Sequence, residues 1–138
     1  MAIYILDTDH LSLYGRNHPI LIAKLLAANI QLTTTAINVE EQLRGPLAQV
    51  AEAKEGVLQS NTYQRLVETV MLLSEFNILH YDEKSQEIYQ KFRNQRICIG
   101  TQDLRIASIV LANKGILLTR NMRDFEKVRG LTIQDWST

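Results

Sequence analysis

A single cysteine, Cys98, excludes an internal disulfide framework and fits a chain that folds in a reducing compartment. With only two prolines and six glycines there are no repeats, low-complexity tracts or linkers. Charge of one sign is missing as well: 15 basic and 15 acidic residues balance, which by itself speaks against a nucleic-acid partner. No apolar run approaches the ~20 residues that span a bilayer. The N-terminus lacks a basic region followed by a long apolar stretch, so no signal peptide is expected. No glycine-rich phosphate loop is present. His10, His18 and His80 lie in dissimilar contexts and read as structural or solvated, so nothing suggests zinc. Ser12 and Cys98 have no nucleophile setting. These absences point to a soluble cytoplasmic protein with no membrane segment.

What is present is ordinary for a globular chain, 46% hydrophobic and 22% charged, and residues 1–138 are expected to form one domain. Ala2 to Leu6 is a short, wholly apolar run, the pattern of a strand buried on both faces. Pro19 to Asn29 reads as a helix with proline in its first turn, and Gln31 to Thr34 as a second strand. The next helix, Ala36 to Arg44, is expected to stop at Gly45-Pro46. Two more helices follow, Leu47 to Leu58 and Thr62 to Phe76, split at Ser60-Asn61. Asn77 to Tyr81 reads as a third strand, and Asp82 opens a polar helix to Asn94. Thr101 is placed as the N-cap of a helix that runs to Lys114 and ends at Gly115. Ile116 to Thr119 and Leu131 to Gln134 complete five strands. Strands alternating with helices predict an α/β domain around a parallel sheet.

Four acids stand where an apolar chain has little structural use for them. Asp7 ends the first strand, Glu41 follows the second, Asp103 opens an apolar helix, and Asp124 follows the fourth strand. In open parallel sheets ligands bind beyond the carboxyl ends of the strands, where these residues would meet. Asp103 shares a helical face with Ile106, Ala107 and Val110, so its carboxylate points inward and needs a partner. Two carboxylates about 4 Å apart repel by ~4 kcal/mol at an effective dielectric near 20. A group of them therefore takes up protons or holds a metal, and all-oxygen ligands suit Mg²⁺ or Mn²⁺. Plain structural readings stand beside this one. Asp7 would cap the next helix, Asp103 would favour the helix dipole, and Asp124 would be a turn residue. Periodicity makes Glu41, beside Glu40, a solvated residue.

The balanced charge is unevenly spread. Lys91 to Arg129 holds nine basic residues against three acidic, so this window carries +6 and the rest of the chain −6. Such a window can offer a phosphate-binding face, here with Arg105, Arg120 and Arg123, or simply a set of solvated helix faces.

The order of motifs resembles the PIN-domain ribonucleases, in particular the VapC-type toxins of bacterial toxin–antitoxin pairs. The resemblance rests on Ile5-Leu6-Asp7-Thr8-Asp9, Glu41 with Gly45, Gly100-Thr101-Gln102-Asp103 and Thr119 to Phe125. Gly130-Leu131 through Asp135-Trp136 is similar to the family's closing segment. It implies a three-layer α/β/α fold with a parallel sheet of about five strands, and Mg²⁺-dependent endonucleolytic cleavage of RNA, with tRNA or ribosomal RNA as target. Asp7 and Asp103 would hold the metal, and Glu41 would complete the site directly or through water. Thr8 and Asp9 would support the first ligand, and Thr119 and Asn121 the metal-bound waters. Where family members often carry an acid this chain has Asn121, so the fourth carboxylate would be supplied by Asp124 or be absent. A cognate antitoxin and a homodimer would be the protein partners. Two competing readings are a haloacid-dehalogenase-type phosphatase, suggested by Asp7-Thr8-Asp9, and a catalytically inactive PIN-like binder of RNA or of a partner.

Overall fold

The computed structural model describes residues 2–138. The opening apolar run forms β1 (Tyr4–Leu6), in which Ile5 and Leu6 are fully buried, and α1 (Thr8–Gly15) follows at once. Next come α2 (Pro19–Ala28), closed by Asn29 in the left-handed region, and β2 (Thr33–Thr35). Two long helices, α3 (Ala36–Glu52) and α4 (Val57–Leu73), lead to β3 (Asn77–Leu79). Asp82 caps α5 (Glu83–Asn94) by accepting the Ser85 N–H at 2.9 Å. The chain closes with α6 (Thr101–Ala112), β4 (Ile116–Leu118), the single turn α7 (Met122–Phe125) and β5 (Thr132–Gln134).

The five strands fall into a ladder β1-β4-β5 and a ladder β2-β3, each parallel. β2 lies beside β1, where the Thr34 hydroxyl donates to the Leu6 carbonyl at 2.8 Å. Across the molecule the strands therefore run β3-β2-β1-β4-β5. The order reverses between β1 and β4, the switch point at which ligand crevices open in such sheets. Alternation along the strands builds the layers. Ile5 and Leu117 face a core with Leu104, Ala107, Val110, Tyr89, Phe92 and Phe125. Leu6 and Leu118 face the opposite core with Leu11, Leu21, Leu25, Leu73 and Phe76. This is the α/β/α arrangement, with α5 and α6 on one side and α1, α2 and the end of α4 on the other. Among the described residues no helix is long and apolar enough to cross a membrane.

Several boundaries differ from the sequence expectation. Gly45-Pro46 does not end a helix: α3 runs through it to Glu52. An interior proline removes one backbone hydrogen bond and costs about 3 kcal/mol. α3 tolerates it because it packs along α4, one of the two most extensive helix–helix contacts in the fold, and such packing supplies most helix stability in proteins. The break falls at Ala53 to Gly56, where Gly56 has φ +105°. Ser60-Asn61 lies inside α4.

Thr101 is the first helical residue of α6, and Gly100 is its cap, with no side-chain cap bond. Gly115 is not the left-handed residue after α6. Lys114 takes that conformation (φ 53°), and the Gly115 and Lys114 N–H groups bond Val110 and Leu111 in a Schellman pattern. Gly115 meets a packing demand instead: a Cβ there would stand 2.6 Å from Ile5 Cδ1 and 3.1 Å from the Ile3 carbonyl.

Candidate metal centre

At the switch point β1 delivers Asp7, whose N–H continues the ladder to the Leu118 carbonyl at 2.9 Å. Asp7 stands at the N-cap position of α1, but its carboxylate caps nothing. Its Oδ1 accepts from Asn38 Nδ2 at 2.9 Å, and its Oδ2 from the Thr119 hydroxyl at 2.8 Å. The residue is only 6% exposed. Burial pushes its carboxyl above the usual range, and the charge of Asp9 adds to this. The Thr8 N–H, Thr119 and Asn38 oppose the shift.

Asn38 escaped the sequence reading. It is fully buried in the first turn of α3 and oriented by Thr35, whose hydroxyl donates to Asn38 Oδ1 at 2.7 Å. Both Nδ2 hydrogens are used, one on Asp7 and one on Thr8 Oγ1 at 2.9 Å. The signal in the sequence is the three-residue spacing Thr35, Asn38, Glu41, which lines one face of a helix that begins beyond a strand end.

Thr8 donates onward to Glu41 Oε1 at 2.8 Å, so Glu41 faces the Asp7 side. Glu40 points elsewhere. It pairs with Arg44 at 2.9 Å and accepts from Gln102 at 2.8 Å, and these two partners hold its carboxyl below the usual range. The structure thus separates two neighbouring acids that periodicity did not.

Asp103 sits half-buried in the first turn of α6. Its carboxyl is pushed up to about 6, first by burial and then by the charges of Asp7, Glu41, Asp124 and Asp9 in that order. All the acids singled out from the sequence, with Asp9, therefore act on one carboxylate. Asp9 lies beside them: its Oδ2 accepts the Arg120 N–H at 2.9 Å and stands 3.3 Å from the Thr119 hydroxyl oxygen. Asn121 and Asp124 share their place, with Asn121 Nδ2 donating to Asp124 Oδ2 at 3.2 Å. The Asn121 N–H binds Thr119 Oγ1 at 3.0 Å, and Lys127 approaches Asp124 Oδ1 at 3.6 Å.

The donor set is all oxygen, which suits a hard divalent cation. The carboxylates do not close into a cage: among the described residues no three His, Cys, Asp or Glu side chains stand together as a ligand group. An ion held by Asp7 and Asp103 would complete its shell with water, as magnesium characteristically does.

The three arginines differ in setting. Arg105 is anchored, with its guanidinium 5.2 Å over the Tyr89 ring and Nη1 donating to Gln102 at 2.6 Å. Arg120 and Arg123 are exposed beside Asp9 and Asp124. Among the described residues none of the three forms an ion pair.

The raised Asp103 carboxyl carries a stability cost with a definite sign. Folded Asp103 binds its proton more tightly than the unfolded residue does, so stability falls as pH rises between about 4 and about 6. Above that window the full penalty is present. Allowing for solvent screening of a half-exposed group, it amounts to about 1–2 kcal/mol. In EDTA at pH 7.5, Asp103→Asn is expected to unfold at a higher urea midpoint than the wild type, and the gain should vanish near pH 4. A variant no more stable at pH 7.5 would contradict the crowding of charge around Asp103.

The fold and this cluster define an α/β protein with an acidic, metal-type site at the switch point of a parallel sheet. The chain belongs to the PIN domain family, which matches residues 4–131. It is 29% identical to "Ribonuclease VapC1" of Haemophilus influenzae over 143 residues, covering 98% of both chains. It is 27% identical to "Ribonuclease VapC2" of Rickettsia felis, over 93% of this chain and 82% of that one. The solved structure of VapBC-1 from nontypeable Haemophilus influenzae superposes with a TM-score of 0.79 at 26% identity, covering 99% of each chain. PIN-domain nucleases are generally metal-dependent.

Proposed function

We propose that this protein is a Mg²⁺-dependent endoribonuclease, with Mn²⁺ as a working substitute, and the toxin of a toxin–antitoxin pair. The observation that carries the reading is the half-buried Asp103 carboxylate, set in the field of four other acids at the sheet's switch point. Matched relatives named as VapC ribonucleases, and a similar structure titled as a VapBC complex, support it. The reading takes residues 1–138 as one PIN domain acting on RNA in the cytoplasm, with tRNA or ribosomal RNA as substrate.

In this proposal Asp7 and Asp103 hold the ion, and Glu41, tethered through Thr8, completes the site directly or through water. A bound divalent cation would supply activation of the attacking water and stabilisation of charge on the leaving oxygen. Asn38 and Thr119 hold the two Asp7 oxygens in fixed directions. Asn121 and Asp124 would orient water at the outer side of the site. Arg105, Arg120 and Arg123 would contact RNA phosphates, Arg105 in a geometry fixed by Tyr89. An exposed apolar series along α4 (Val57, Leu58, Tyr63, Val67, Val70 and Met71) offers a surface for the antitoxin or for a second copy in a homodimer. The family match leaves the phosphatase alternative without support.

Purified protein incubated with cellular RNA tests the reading. Cleavage should disappear in EDTA and return with excess Mg²⁺ or Mn²⁺. Cleavage that persists in EDTA would overturn a metal-dependent mechanism, and no cleavage with either ion would favour the inactive binder.

A further inference from the structure

His10 is the one fully buried imidazole in the described chain, and the proposed chemistry does not use it. Its two ring nitrogens are both engaged, and they reach in different directions. Nδ1 lies 2.6 Å from Asp9 Oδ1, and Nε2 lies 3.1 Å from the Trp136 main-chain nitrogen. The Trp136 N–H can only donate, so Nε2 is the acceptor and the ring proton sits on Nδ1, pointing at Asp9. The neighbouring Asp135 carboxylate does not compete for Nε2. Its Oδ1 is 3.7 Å away and already accepts the Ser137 N–H at 2.8 Å and hydroxyl at 2.6 Å.

Beyond His10 the bonds form a connected path. Asp9 Oδ2 takes the Arg120 N–H at 2.9 Å and so holds the main chain next to Thr119, whose single hydroxyl proton goes to Asp7 Oδ2 at 2.8 Å. One imidazole thus joins the segment after β5 to the loop after β4 and, through Thr119, to the Asp7 carboxylate. Trp136 is itself fixed, with its ring 4.9 Å from that of Tyr4 and its Nε1–H on Gln134 Oε1 at 2.9 Å.

We propose that His10 is a positioning residue: its Nδ1–H orients Asp9, and through Thr119 it fixes the direction in which Asp7 presents its carboxylate to a divalent cation. The inference rests on the reading of the acidic cluster as a metal site. Outer partners of this kind generally govern metal affinity as well as turnover.

Two variants separate this role from packing. His10→Asn keeps an amide N–H near the Nδ1 position and drops the Trp136 contact. His10→Gln reaches the Trp136 N–H with its amide oxygen and leaves Asp9 without its donor. Mn²⁺ binding followed by water-proton relaxation should weaken about 10- to 100-fold in His10→Gln and stay near wild type in His10→Asn. The drop in RNA cleavage by His10→Gln should lie in kcat, with KM little changed. Nitrogen-15 NMR of the wild type should show Nδ1 protonated and Nε2 bare. Three results would overturn the inference: the opposite tautomer, wild-type Mn²⁺ affinity in His10→Gln, or equal impairment of the two variants. Wild type that takes up no Mn²⁺ would remove the reading of the site, and His10's role with it, whereas the other failures leave that reading standing.

Discussion

Asp7→Asn and Asp103→Asn are each expected to cut RNA cleavage by more than about 100-fold, beyond the 10- to 100-fold typical of losing an outer partner of a metal ligand. Either change replaces a proposed charged ligand with a neutral amide of the same shape. On the toxin reading, expression of the wild-type chain should arrest growth, and each substitution should relieve that arrest. The fold should persist, because both substitutions remove charge from a crowded site. Burial and neighbouring acids raise both carboxyls, so the loss of charge offsets the hydrogen-bond acceptor that the amide removes at Asp7. Glu41→Gln should fall with them. Glu40→Gln should cleave near the wild-type rate, since Glu40 is committed to Arg44 and Gln102. Steady-state cleavage of a defined RNA, together with urea midpoints in EDTA, decides the matter. Full activity in Asp7→Asn or Asp103→Asn would refute the assignment of the metal ligands.

Asn38→Ala is the second large effect, and it differs in kind because it lowers stability and cleavage together. The amide bridges Thr35, Thr8 and Asp7 at a fully buried position. Its loss strands a buried carboxylate oxygen and a buried hydroxyl, at a cost of about 2–3 kcal/mol. Cleavage should fall about 10- to 100-fold through misdirection of Asp7. Gln42→Ala supplies the contrast. Gln42 touches the same turn, at the Thr8 carbonyl and Ser12, but reaches no carboxylate. A Gln42→Ala variant as impaired as Asn38→Ala would show that the turn in general, and not the Asn38–Asp7 bond, supports activity.

The strands β1 and β4 were legible in the sequence because burial on both faces leaves an apolar run, as at Ile5-Leu6 and Leu117-Leu118, whereas the layers were implied by the family resemblance. Asp7 stood out as an acid ending such a run, and Asp103 as an acid on the apolar face of the helix it opens. Less was legible where tertiary packing overrides local preference. Pro46 reads as a stop, yet lies inside α3 because α4 packs along that helix. Gly115 reads as a helix terminator, but Lys114 takes the left-handed turn and Gly115 makes room for Ile5. Glu41 and Glu40 are indistinguishable by periodicity, and the family spacing to Gly45 favoured Glu41. The structure separates the two by the bond from Thr8, 33 residues away, and by Glu40's own partners Arg44 and Gln102. Asn38 was missed, and the partners of His10, read as structural or solvated, could not be named, for a related reason. Their partners come from several elements, so no local pattern announces them.

The measurement closest to the central claim is equilibrium Mn²⁺ binding by the metal-free wild type, Asp7→Asn and Asp103→Asn proteins under one buffer. The acidic cluster predicts saturable binding by the wild type and a loss of affinity in each variant of more than about 100-fold. Wild type that fails to bind Mn²⁺, or variants that bind it as well as the wild type does, would contradict it.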